Sequence, residues 1–312
     1  MTHHVSTAVK TIRYGTIITP SIVKGVIGSF PGVNFDASQQ GTSTQFPNVS
    51  FHDVKRVSNS TQVEGRYPSI STILGCTQSQ KKLYWWQLRM IKQLGGEGSF
   101  RKYMRGCIST VDRFIERIRC GQAYHARISK ILADFCKNGN ISQCDDELLE
   151  GVSESIIGYM RSVLPILRSL QYSNEIRIEQ YARHHILCYY GRFDAIIYYK
   201  DAVFLIDWKT ASAGSNKDIN VDLSKMYDDP LQVAAYVGAV NSDPNFSLLP
   251  TITNGAVIIA KEDGTAAHVA EMGFHDLEEY WHRWVRCVHR FWYELATRPT
   301  SGGVVSFVSR GE

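Results

Sequence analysis

The stretch that decides the fold runs Gly191-Arg192-Phe193-Asp194-Ala195-Ile196-Ile197-Tyr198-Tyr199-Lys200-Asp201-Ala202-Val203-Phe204-Leu205-Ile206-Asp207-Trp208-Lys209-Thr210. Two runs rich in β-branched and aromatic residues flank the polar pair Lys200-Asp201, the pattern of two strands joined by a turn. With Lys200 and Asp201 as a two-residue tip, antiparallel pairing sets Asp194 directly opposite Asp207. Side chains alternate across a strand, so Lys209 projects with Asp207, and Ile206 and Trp208 project to the other face. Opposed Cβ atoms lie roughly 4.5–5.5 Å apart, close enough for two carboxylates to hold one hard cation and close enough to repel without it. The register hangs on the turn: a longer loop would slip it by one residue and separate the two acids, and Lys-Asp is a weaker tip signal than Asn-Gly.

The neighbours of these polar residues are mostly apolar, so the hairpin reads as covered, and charges buried in it demand compensation. One compensation is a structural ion pair between Lys209 and an aspartate. The other is chemistry. Two acids and a lysine converging on one face suit phosphodiester hydrolysis, in which a cation polarises a phosphoryl oxygen and an ammonium offsets charge in the transition state. Carboxylate-rich ligation favours Mg2+ or Mn2+ over zinc.

Outward from the hairpin, periodicity predicts helices over Lys81–Leu94, ending at Gly95-Gly96, over Val111–Phe135, and over Asp145–Leu164, ending before Pro165. The Val111–Phe135 stripe is Phe114, Ile118, Gly121, His125, Ile128, Leu132 and Phe135. Ile176–Tyr181, Ile186–Tyr199 and Ala202–Lys209 read as strands, Leu231–Val240 as a helix, Gly255–Lys261 as a strand and Asp276–Ala296 as a long closing helix. Helix, strands, helix, strand, helix is an α/β order. In the last helix Leu277, Trp281, Trp284, Val288, Phe291 and Leu295 form a core stripe, with Arg283, Arg286, His289 and Arg290 towards the opposite face.

The 312 residues are 44% apolar and 21% charged, which excludes disordered and collagenous classes. The 34 basic residues exceed the 30 acidic ones by four, so bulk charge identifies no partner. Seven cysteines without a CxxC pair point to a reducing compartment rather than a disulfide framework or zinc ribbon. The longest uncharged stretch is broken by Pro250, Asn254 and Gly255, so no membrane segment is expected. Residues 1–35 contain three basic and no acidic residues and eight Ser or Thr, the composition of a mitochondrial transit segment. Residues 36–66 read as a polar linker, 67–298 as one catalytic domain and 299–312 as a flexible tail.

Gly191-Arg-Phe-Asp194 followed by Ile206-Asp-Trp-Lys-Thr210 resembles the core of the PD-(D/E)xK nucleases in their RecB-like form. Gly121-Gln-Ala-Tyr-His125 is similar to the Gly-xxx-His helix of that family, and Gln232 with Tyr236 to its Gln-xxx-Tyr helix. Pro68-Ser-Ile-Ser71, the Trp86–Gly95 helix and Asp229-Pro-Leu-Gln-Val233 extend the resemblance towards a mitochondrial exonuclease branch, over about Tyr67 to Pro299. The resemblance implies a mixed central sheet with an antiparallel catalytic hairpin, flanked by helices. It implies Asp194, Asp207 and Lys209 as the catalytic set. His125 and the backbone carbonyl of Trp208 would join the two aspartates around the metal, and Gln232 and Tyr236 would bind substrate or support the motif. Read alone, His125 is more often a satisfied core histidine and Gln232 with Tyr236 polar trim on a core helix. A third acid precedes the hairpin in related nucleases; Glu179 or Glu175 could serve, and an exposed strand-end glutamate is an equal reading of Glu179. The implied activity is Mg2+- or Mn2+-dependent exonucleolytic hydrolysis of single-stranded DNA and flaps, preferring the 5′ end, in mitochondrial (matrix) DNA replication and maintenance. Rival readings are a DNA-binding protein that kept the fold without turnover, and a nuclease for duplex DNA or RNA.

Overall fold

Lys200 and Asp201 both adopt left-handed backbone, with φ of 49° and 60°. Two successive positive-φ residues make the type I′ turn whose twist matches a two-residue hairpin. Neither residue is glycine, so the turn leans on neighbours: Lys200 Nζ reaches Glu271 at 2.6 Å, and Asp201 exchanges hydrogen bonds with the Gln171 side chain at 2.9 and 3.2 Å. Register then follows the expected one from Tyr199 opposite Ala202 to Ala195 opposite Ile206, and the ladder stops one pair short of the expected Asp194–Asp207.

The computed structural model describes residues 10–13, 67–78, 91–99, 110–211, 222–297 and 304–307. In chain order the elements are β1 (Lys10–Arg13), α1 (Ile70–Thr77), α2 (Thr110–Asn138), α3 (Asp145–Leu149), α4 (Glu154–Arg168), β2 (Arg177–His184), β3 (Tyr189–Tyr199), β4 (Ala202–Ala211), α5 (Asp229–Ser242), β5 (Asn254–Lys261), β6 (His268–Met272), α6 (Phe274–Thr297) and β7 (Val304–Phe307). Strands β2 to β6 form one sheet in sequence order, antiparallel except for the parallel pair β4–β5, which α5 connects. Strands β1 and β7 pair antiparallel as a separate ribbon, so each of the segments read as leader and tail contains a short strand.

Helices α1, α5 and α6 pack on one face around Leu205, Ile196, Trp281, Trp284 and Phe291. Helices α2 and α4 cover the other face around Ile197, Ile206, Trp208, Ile258 and Leu132. The result is a mixed five-stranded sheet flanked by helices, an α/β architecture compatible with a PD-(D/E)xK nuclease core. Among the described residues no helix is long and apolar enough to cross a membrane.

Several element boundaries differ from expectation. The helix expected over Asp145–Leu164 is two helices: Gly151 sits at φ 68° between α3 and α4, and α4 runs through Pro165 to Arg168 because the ring lies on the exposed side. The strand expected from Ile186 begins at Tyr189, since residues 185–188 are the turn of a β2–β3 hairpin. Ile118 is 46% exposed, so the buried face of α2 is Tyr124, Ile128, Ile131, Leu132 and Phe135. Helix α1 and strand β6 were not anticipated: α1 is short and capped by Ser69, and β6 is a five-residue edge strand with little periodicity to read. Most of the helix expected over Lys81–Leu94 lies outside the described residues; its end is seen, with Gly95 and Gly96 at φ 77° and 133°.

Candidate active site

Strands normally alternate, and β2 and β3 break that rule together at one point. Ile178 pairs with Ala195 and Gln180 with Phe193, while Glu179 and Asp194 face each other between those pairs outside the ladder. On β3, Tyr189 and Phe193 point into the α5–α6 core whereas Ala195 and Ile197 point into the α2–α4 core. All four are odd-numbered, so the strand changes face at Asp194. On β2, Glu179 makes the same change with a φ of 51°, an uncommon conformation for a side chain other than glycine. The two carboxylates are thereby freed from both cores.

Helix α2 passes over this break. His125 Nδ1 stands 3.4 Å from Asp194 Oδ1, and Ser129, one turn further along the same face, donates to Glu179 Oε1 at 3.2 Å. Arg192 Nη2 holds the other Glu179 oxygen at 2.9 Å. Ligand atoms of His125, Glu179 and Asp194 all lie within 4.8 Å of one another. Asp194 Oδ2 accepts the backbone N–H of Trp208 at 2.8 Å, which replaces the ladder bond expected beyond Ala195–Ile206. A strand residue sends its N–H and C=O to the same side, so the Trp208 carbonyl also leaves towards Asp194. The Trp208 indole goes the other way, into the α2–α4 core.

Asp207 projects from β4 towards α5 and is 2% exposed. Lys209, two residues on, lies 2.7 Å from it, 3.5 Å from Asp229 and 3.3 Å from Gln232 Oε1, to which it donates. Gln232 Nε2 donates in turn to the Tyr236 hydroxyl at 2.9 Å. Asp229, Gln232 and Tyr236 recur at steps of three and four, which puts them on one face of α5. Gly191 is required where β3 passes beneath this row: a Cβ there would meet the Tyr236 ring and Ile70 Cδ1, both at 2.5 Å.

Burial, reinforced by Asp194 and Asp229, pushes the Asp207 carboxyl up to about 7 despite the ammonium of Lys209. Burial opposes the charge on Lys209, but Asp207, Asp229 and Asp194 outweigh it and hold its pKa above the ordinary lysine value. Burial likewise disfavours the His125 imidazolium, and Asp194, Asp207 and Glu179 overcome it, raising that pKa. Glu179 is raised by burial and by Asp194, against Arg192 and Ser129. Among the described residues the site therefore gathers more carboxylate than its fixed cations neutralise. Its donors, carboxylate oxygens and one imidazole nitrogen, fit a hard divalent cation.

The expected residues fall into two linked groups. His125, Asp194 and Glu179 converge from α2, β3 and β2, and Asp207, Lys209, Gln232 and Tyr236 form a chain from β4 to α5. Asp207 is not among the three residues whose ligand atoms converge most closely; its carboxylate is engaged by Lys209 behind them. Glu179, not Glu175, reaches the site, since Glu175 accepts from Ser173 in the loop before β2. Trp281 and Trp284 are core residues; Trp85 and Trp86 lie outside the described residues. Sequence reading missed Ser129 and Asp229 as participants. The spacing of Ser129 from His125, and of Asp229 from Gln232, was the available signal.

No protein-family model matches the chain. The chain is 29% identical over 221 residues to the human and mouse proteins named mitochondrial genome maintenance exonuclease 1, and 26% identical over 224 residues to that of Xenopus tropicalis. These matches take in 70–71% of the chain and 56% of each relative, so the chain spans about half the length of the curated relatives it matches. At that identity the chain is a distant relative of the mitochondrial genome maintenance exonucleases.

Proposed function

We propose that this protein is a metal-dependent exonuclease that hydrolyses single-stranded DNA at free ends and flaps, with the 5′ end preferred, in mitochondrial DNA replication and maintenance. The observation that carries the reading is the strand break at Glu179 and Asp194, which delivers two carboxylates beside His125 and in front of the Asp207–Lys209 pair. The names of the relatives support an exonuclease acting in mitochondria, and the acid-poor composition of residues 1–35 agrees with them.

His125, Asp194, Asp207 and the Trp208 carbonyl, with Glu179, would hold Mg2+ or Mn2+. Such an ion polarises a phosphoryl oxygen and lowers the pKa of bound water. The chain's own residues supply the rest. Lys209 stays protonated because three acids surround it, and its ammonium is placed to offset charge on the phosphoryl oxygens. Gln232 fixes the Lys209 rotamer, and Tyr236 fixes Gln232. Asp194 is oriented by the N–H of Trp208, which leaves its Oδ1 towards His125. A binding protein without turnover has no need of a buried acidic cluster that repels phosphate, which favours the enzyme over that rival.

The test is a panel of end-labelled linear single-stranded, duplex and flap DNA, end-labelled RNA and internally labelled circular DNA with Mg2+ or Mn2+, run against EDTA. The expected result is EDTA-sensitive shortening of linear single strands and flaps while circles persist. Binding without metal-dependent cleavage would favour the non-catalytic rival, and preference for duplex or RNA would favour the other.

A further inference from the structure

Beyond the strand break, the outer half of the β2–β3 hairpin has one face committed to the core and one that is not. Ala182, Tyr189 and Phe193 are buried in the α5–α6 core, and His184 stacks between Tyr189 and Trp281 at 5.3 and 5.6 Å. Alternation sends Tyr181, Arg183, Tyr190 and Arg192 to the opposite side. Register sets Tyr181 against Arg192 and Arg183 against Tyr190, a checkerboard of two rings and two guanidinium groups. Tyr181 is 60% exposed, the Arg192 side chain is 52% exposed, Arg183 is exposed and Tyr190 half-buried. The two rings lie 6.2 Å apart and tilted by 44°.

We infer that this face is a single-strand platform: Tyr181 and Tyr190 stack unpaired bases and Arg183 and Arg192 take their phosphates, leading the strand to the cleavage centre. The inference rests on the nuclease reading above and names a subsite for its substrate. Continuity supports it, because Arg192 is bonded to Glu179 and Tyr181 is two residues from that acid on the same strand. Charge complementarity supports it too, since both non-aromatic positions of the face are cationic. An exposed aromatic pair flanked by arginines is the chemistry that binds unpaired nucleotides without reading sequence.

The test measures affinity for a fluorescein-labelled oligothymidine and for a blunt duplex of equal length, with calcium in place of magnesium. Tyr181→Ala should weaken single-strand binding by about five- to one-hundred-fold, the loss of one stacked base, while Tyr181→Trp keeps it. Duplex affinity should move by less than about twofold, because paired bases offer no free faces to stack. Arg183→Gln should lower the salt slope of single-strand binding by about 0.7, one phosphate contact. Tyr181 is mostly exposed, and a melting curve matching wild type excludes misfolding as the cause. If the wild type cleaves single strands, undiminished single-strand binding by the Tyr181→Ala variant overturns the platform alone. Equal losses on single strand and duplex also overturn it. A wild type that neither binds nor cleaves DNA removes the nuclease reading and the platform with it.

Discussion

Asp207 is the residue in which fold and chemistry conflict most directly. A carboxylate almost fully removed from water costs several kcal/mol unless its charge is matched, and Lys209 matches it only in part because Asp194 and Asp229 crowd the same ammonium. Its folded pKa of about 7 lies above its ordinary 3.8, so between those values the folded protein keeps a proton that the unfolded chain has released. Stability of the metal-free protein contributed by this group is therefore fully present below about pH 4 and declines as pH rises through about 7. Thermal melts in EDTA should show wild type losing a few kcal/mol relative to Asp207→Asn between about pH 4 and 7, with roughly 4 kcal/mol as the ceiling. Parallel melting curves for the two proteins across that range would refute the assignment. Lys209 has the complementary role. Lys209→Ala should cut kcat on single-stranded DNA by at least about a hundredfold, the cost of removing one donor to transition-state charge. Asp207 then loses its matching ammonium, so the melting temperature should fall and kcat is read where melting curves show the variant folded; near-normal cleavage there would remove Lys209 from the mechanism.

At the scale of elements, the site is made by the paired break in β2 and β3 more than by any motif. Glu179 holds a left-handed backbone that an L side chain enters at roughly 1–2 kcal/mol, and its side chain is secured there by Ser129 and Arg192. Glu179→Val should destabilise the fold by about 2 kcal/mol, since β-branching suits positive φ worst. Glu179→Gly should melt close to wild type while binding Mn2+ more weakly; calorimetry on both variants separates the backbone effect from the ligand effect, and equal melting of the two would contradict it. The hairpin tip makes a second element-scale prediction. Replacing Lys200-Asp201 by Asn-Gly should stabilise the protein by about 1 kcal/mol in chemical denaturation, and a fall in stability would contradict this by showing that the ties to Glu271 and Gln171 outweigh the backbone strain. The hairpin register was legible because the strand period is two and the tip has two residues. The face change at Asp194 was not, because strict alternation is what a strand pattern assumes, and a left-handed glutamate leaves no compositional mark. Alternation correctly grouped Asp207 with Lys209 and both apart from Trp208, but it could not show that Glu179, rather than Asp207, completes the tightest cluster with His125 and Asp194.

Across the whole molecule, the sheet order and the two helical layers bring residues from β2, β3, β4, α2 and α5 to one locus, although they span more than one hundred positions in the chain. Each layer has its own apolar core, with Trp208 and Ile206 on one side of β4 and Leu205 on the other, so the polar groups are confined to the seam where β3 and β4 diverge. That division was readable from the alternating apolar strands and the aromatic stripe of α6. The short pieces α1 and β6, and the split between α3 and α4, were not, because each depends on packing or on one glycine. Among the described residues, a seam lined by acids and one imidazole with too few fixed cations to balance it has the donor chemistry of the divalent-ion site proposed above. Anomalous diffraction from crystals grown with Mn2+ tests this most directly. The expected result is a peak within coordinating distance of Asp194 and Asp207, with His125 or Glu179 as a further ligand. A peak elsewhere, or no peak in crystals of a protein that still cleaves DNA, would contradict the assignment.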